Sequence, residues 1–129
     1  MKKNKFKVVL ATDRQGRELS TLRLICKEKK IDFYWFDVRN DVVKEHVHDN
    51  TVVFTRGPCK NRLGYLNKLT EMEMLGATMV NTRETQEVCN DKWRCHMVLE
   101  EIGLTQPKTV MIASSLDDII ERQIKELNL

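Results

Sequence analysis

The 129 residues, 41% hydrophobic and 32% charged with few glycines and prolines, have the size and composition of one soluble globular domain that needs no disulfide or structural metal to hold a core. Twenty-two basic against nineteen acidic side chains leave a net charge of +3, concentrated in the MKKNKFK start, which reads as a solvated terminus and does not suggest a nucleic-acid binder. The four cysteines include no C-x-x-C pair, the apolar run VVLA is too short for a signal peptide, and no stretch is long enough to span a bilayer, so a cytoplasmic protein with reduced thiols and no membrane contact is expected.

FKVVLAT (6–12) is a β-branched run that predicts a buried strand, followed by the turn DRQG. Residues 17–29 place Leu19, Leu22, Ile25 and Cys26 at helical spacing, and IDFYWFDV (31–38) returns to strand composition. DVVKEHVHDN (41–50) holds a short helix, TVVFTR (51–56) is a third strand, and GPCKN is a turn. NRLGYLNKLTEMEMLG (61–76) aligns Leu66, Leu69 and Met72 on one helical face and stops at Gly76, before ATMVN (77–81) forms a fourth strand.

Beyond Asn81 the pattern changes. Thr82 can cap a short helix to about Val88, and Asp91 can cap a second in which Cys95, Val98, Leu99 and Ile102 form an inward stripe ended by Gly103. PKTVMIA (107–113) predicts a fifth strand, and Ser115 can cap a last helix with Leu116, Ile119, Ile120, Ile124 and Leu127 on one side. Strands alternating with helices predict an α/β fold with a mainly parallel sheet flanked by helices. Residues 1–81 would form one α/β domain, and residues 82–129, a helix-helix-strand-helix run, the incomplete beginning of another, with the boundary between Asn81 and Asn90.

Open α/β sheets bind ligands at the carboxyl ends of their strands. Thr12 and Asp13, in TDRQG after the first strand, and Arg56, in TRGPCKNR after the third, are therefore candidate substrate-binding residues. No G-x-G-x-x-G accompanies them, which argues against a dinucleotide site. His46 and His48 would share a face in an extended segment but have no third ligand nearby, and Cys95 and His96, adjacent on a helix, diverge too far to act as nucleophile and base. Lys92 sits in the first turn of the helix capped by Asp91, where the helix end is already positive. It is either a plain surface lysine or, with the free N–H groups of that turn, part of an anion site, placed at the edge of the core by its three-residue offset from Cys95.

The order Asn81-Thr82, Asp91-Lys92, Leu99-x-x-x-Gly103-Leu104, Pro107-x-Thr109 resembles the beginning of the ATP-grasp fold, and TRGP with EMEMLGATMVN resembles the end of the preceding domain in the ribosomal-protein glutamate ligase type. The resemblance implies a Rossmann-like pre-ATP-grasp domain followed by the first elements of the ATP-grasp domain. It further implies the N-terminal portion of an ATP-dependent carboxylate–amine ligase working through an acyl phosphate, with ATP and Mg²⁺ as cofactors and Lys92 on the nucleotide phosphates. The family's second phosphate lysine, glycine-rich loop, adenine hinge and metal ligands have no counterpart in these residues, so this chain alone is expected to bind ATP weakly or not at all and to be inactive. The competing expectation is a stand-alone binding or regulatory module derived from such a ligase, its last helix covered by its own sheet or by a homodimer partner where the ligase would use its C-terminal region.

Overall fold

The computed structural model describes residues 6–57, 59–111 and 117–127. Four short segments become strands: β1 (Lys7–Thr12), β2 (Asp32–Asp37), β3 (Thr51–Thr55) and β4 (Thr78–Val80). They form one all-parallel sheet in the order β2-β1-β3-β4, with Lys7 opposite both Asp32 and Thr51, and Val52 opposite Thr78. Parallel neighbours cannot be joined by tight hairpins, and the intervening segments form helices: α1 (Arg17–Glu28), α2 (Val43–His46) and α3 (Arg62–Met74). The fold is thus α/β and Rossmann-like, as the alternation predicts.

Side-chain alternation sorts the strands into two faces. Val9 and Ala11 of β1, Phe36 of β2 and Val53 of β3 face one way and pack with Val43 and Val47 around α2 and with Tyr65, Leu69 and Met72 of α3 in one buried cluster. Val8 and Leu10 point to the opposite face, where Leu19 and Cys26 are the buried residues of α1. Ile25, expected on that stripe, is 41% exposed, because the apolar contact of α1 narrows to positions seven apart with Leu22 half-buried between them. Gly76 ends α3 in the left-handed conformation, φ +82°, that a side chain would disfavour.

The chain divides into two compact units, residues 1–90 and 91–129. Helix α4 (Arg83–Cys89), read in the sequence as opening the second part, packs on α3 in the first unit, where Gln86 Nε2 donates to Thr55 Oγ1 at 3.0 Å. The second unit contains α5 (Lys92–Glu101) and α6 (Asp117–Glu126). Its expected inward stripe is only partly covered: Cys95 and Leu99 are half-buried, while Val98 and Ile102 are exposed.

The predicted fifth strand is not formed over residues 107–111, which are irregular; residues 112 and 113, with Ser115 and Leu116, lie outside the described residues. β-branched composition favours extension, but a strand also requires a neighbour to accept its ladder. Here side chains take the backbone carbonyls instead: Thr109 Oγ1 donates to the carbonyl of Pro107 at 2.8 Å and Gln123 Nε2 to that of Met111 at 3.1 Å.

The turn after β2 is held by two carboxylates. Asp41 Oδ2 accepts from the Asp37 N–H at 2.8 Å and the Tyr34 hydroxyl at 3.1 Å, while Asp37 accepts from the Arg39 N–H, the Arg39 guanidinium and Asn40 Nδ2. The Arg39 guanidinium is the main cause that lowers the Asp37 carboxyl from 3.8 to about 2. A depressed carboxyl stabilises the fold fully above its unfolded value, and that stability is lost as pH falls through the folded one. The side-chain carboxyl ¹³C shift of Asp37 should therefore titrate near 2 in the wild type and move upward in Arg39→Gln; a wild-type midpoint near 3.8 would contradict the clamp.

Candidate functional site

From β1 the chain turns toward β2 on one side, and from β3 toward β4 on the other. The loops leaving the adjacent carboxyl ends of β1 and β3 therefore diverge, which is the geometry that opens a ligand crevice in a doubly wound sheet. A cleft of about 290 Å³ lies there, with Thr12, Gly16, Glu18, Arg56 and Gly57 among its walls.

The three substrate-binding candidates of the first unit meet at this point, each with a different task. Thr12 is buried in the wall, and its hydroxyl oxygen accepts from the Arg14 N–H at 3.3 Å. Asp13 is also buried, but it turns away from the opening: Oδ2 accepts from the Lys60 N–H at 2.9 Å, and Oδ1 faces the Arg14 guanidinium with Nε at 3.5 Å. It ties the loop after β1 to the loop after β3, across 47 residues of sequence. The Arg56 N–H donates to the carbonyl of Ala11 at 3.1 Å, carrying the β1–β3 pairing one step past the strand, and its guanidinium reaches out to Glu18 Oε1 at 3.2 Å.

Glu18 is the residue that sequence reasoning missed. Gly16 precedes α1 without a capping side chain, and Glu18 folds back toward the first turn. A Cβ on Gly16 would stand 2.9 Å from Glu18 Oε2, so the glycine permits a close approach at an ordinary extended φ of −132°. The Glu18 carboxyl is held below its ordinary value first by a backbone N–H and then by Arg56. Its only sequence signal is an acid in the first turn of a helix, a pattern shared by most helices.

Beneath the loop after β3 lie Cys59 and Tyr65. The Cys59 thiol donates to the Arg56 carbonyl at 3.7 Å, and burial pushes it up to about 11. Burial likewise pushes the Tyr65 phenol far above its usual range. Neither group is ionised near neutrality, so both pack rather than react. A Cβ on Gly57 would meet Gln86 Oε1 at 2.9 Å and the Tyr65 ring at 3.4 Å, which keeps this loop pressed against α3 and α4.

Lys92 belongs to the second unit. It is the first residue of α5 and is exposed, which corrects the expectation of a lysine at the edge of the core. The anion that this helix end calls for is supplied next door: Asp91 Oδ1 accepts from the Trp93 and Arg94 N–H groups, both at 3.1 Å. Those donors are thereby occupied, and Lys92 projects beside a carboxylate already in place.

His46 stacks on Tyr34, ring centroids 4.0 Å apart, while His48 is exposed. His96 stacks on Trp93 at 5.4 Å, with Nε2 3.9 Å from Glu100. Among the described residues no group of three or more His, Cys, Asp or Glu is arranged to hold a metal ion. Among the same residues no helix is long and apolar enough to cross a membrane. Compared with known proteins, the chain matches no family model and no curated sequence.

The two loops predict opposite outcomes for two substitutions at the crevice. Asp13→Ala removes a buried carboxylate and leaves the part-buried Lys60 N–H without its acceptor, and should cost about 1–3 kcal/mol in urea denaturation. Arg56→Gln removes only an exposed ion pair and should change stability by less than about 1 kcal/mol. A reversed order would overturn the assignment of Asp13 as the tie between loops and Arg56 as the outward-facing group.

Proposed function

We propose that this chain is the N-terminal portion of an ATP-dependent carboxylate–amine ligase, in which the first unit holds the carboxylate of a small acceptor substrate at the β1/β3 crevice. One observation carries the binding part of this reading. Arg56 and the first turn of α1, far apart in sequence, line a single opening at the carboxyl ends of adjacent parallel strands. A guanidinium beside helix N–H groups suits a carboxylate, because both present donors in a fixed geometry.

The ligase part rests on the resemblance of residues 54–109 to the ATP-grasp pattern. In such enzymes ATP activates a carboxylate as an acyl phosphate, which an amine then attacks, and cationic side chains stabilise the transferring group. Within this reading the crevice residues bind and orient; Thr12 shapes the wall, Asp13 fixes the loops, and Arg56 contacts the anion. Lys92 reaches the nucleotide phosphates, and its exposure leaves the ammonium free to do so. Of the stripe on the last helix Ile124 is exposed and Ile119 and Ile120 are half-buried; together with the exposed Val98 and Ile102 of α5, Ile124 supports a further packing surface in the second unit.

A second reading, a stand-alone anion-binding module, is favoured by a different observation: the crevice and its supporting core lie wholly within residues 1–90. Two titrations of the ¹⁵N-labelled chain separate the readings. L-Glutamate should shift the amides of residues 12–19 and 56–57 in the wild type but not in Arg56→Gln. Mg-ATP should shift the Lys92, Trp93 and Arg94 amides, and Lys92→Ala should remove that response. A glutamate response with none to Mg-ATP would favour the module; no crevice response to glutamate would contradict both.

A further inference from the structure

A second opening, of about 450 Å³, runs between α1 and β3, with Leu22 and Phe54 as apolar walls. Leu10, Glu18 and Arg56 line both this groove and the crevice. The Glu18–Arg56 ion pair, 3.2 Å from Nη2 to Oε1, is therefore the partition between a polar compartment and an apolar one. Its side chains are 58% and 60% exposed, and ion pairs this open to water are weak and readily exchanged.

We infer that the site takes an amphipathic carboxylate: its head replaces Glu18 on Arg56 at the first turn of α1, and its apolar chain or ring lies in the groove between Leu22 and Phe54. The inference deepens the proposed carboxylate site and rests on it. Three features favour this occupant. The bound carboxylate of Glu18 already shows which group the Arg56 guanidinium and the α1 terminus accept. Among the lining side chains, Arg17 and Arg56 face the single carboxylate of Glu18, while Arg14 is paired with Asp13, so an incoming anion that displaces Glu18 meets a positive rim. Leu22 and Phe54 offer the tail an apolar surface directly beyond the partition, and the groove, at about 450 Å³, is by itself within the size of ordinary small-molecule sites, which start at about 300 Å³. Glu18 is then a built-in competitor that keeps Arg56 paired until ligand arrives.

The test compares acetate with 4-phenylbutyrate on the ¹⁵N-labelled wild type, Glu18→Gln and Arg56→Gln, all at exposed positions where folding is preserved. Both probes should shift the Gly16, Leu19 and Gly57 amides. Only 4-phenylbutyrate should also shift Thr21, Leu22 and Phe54, and it should bind about tenfold or more tighter than acetate, the gain expected from burying an aryl chain. Glu18→Gln should tighten its binding about threefold by removing the competitor, and Arg56→Gln should weaken it about tenfold or more. If acetate titrates the crevice but 4-phenylbutyrate binds no tighter and leaves Leu22 and Phe54 unmoved, the inference fails while the carboxylate site stands. Weaker or unchanged binding in Glu18→Gln overturns the role of the bar, and no crevice response to either probe overturns the site itself.

Discussion

Everything proposed for the first unit depends on the parallel pairing of β1 with β3, with Ala11 opposite Thr55. Two strands distant in sequence can be joined in parallel only if the chain crosses over between them, here through α1, β2 and α2. The crossover brings their carboxyl ends to one edge and sends the following loops in opposite directions. The Asp13 carboxylate on the Lys60 N–H and the Arg56 N–H on the Ala11 carbonyl then hold the loops in place. Without that pairing, Thr12 and Arg56 would be unrelated residues on separate turns.

The electrostatics of the two helix starts follow a common rule. At α5 the Asp91 carboxylate takes the first free N–H groups, and at α1 the Glu18 carboxylate folds back over an uncapped glycine. They differ in what surrounds them. Asp91 makes two direct capping bonds, so its helix end is closed by its own residue. Glu18 is shared with a guanidinium from the loop after β3 and borders two open clefts, so it can yield to a competing anion at little cost.

Much of this could be read from the residues before any coordinates. Runs of β-branched and aromatic residues located all four strands, and the rule that ligands gather at carboxyl ends pointed to Thr12, Asp13 and Arg56. The different tasks of these three residues were not legible, because whether Asp13 points into the opening or into the loop is settled by the distant Lys60 N–H. The helix position of Lys92 was legible from the preceding aspartate, but its exposure was not, since the stripe that would have set it at the core edge is only half-covered at Cys95 and Leu99. The segment 107–111 shows the same limit: composition reports a preference for extension, whereas a strand needs a partner edge.

The most direct measurement is a crystal structure of the chain grown with L-glutamate. The account predicts a carboxylate seated between Arg56 and the first turn of α1, with the Arg56 guanidinium turned from Glu18 to the ligand while Asp13 keeps its hydrogen bond to the Lys60 N–H. Glutamate bound elsewhere, with the crevice empty and the Glu18–Arg56 pair intact, would contradict it.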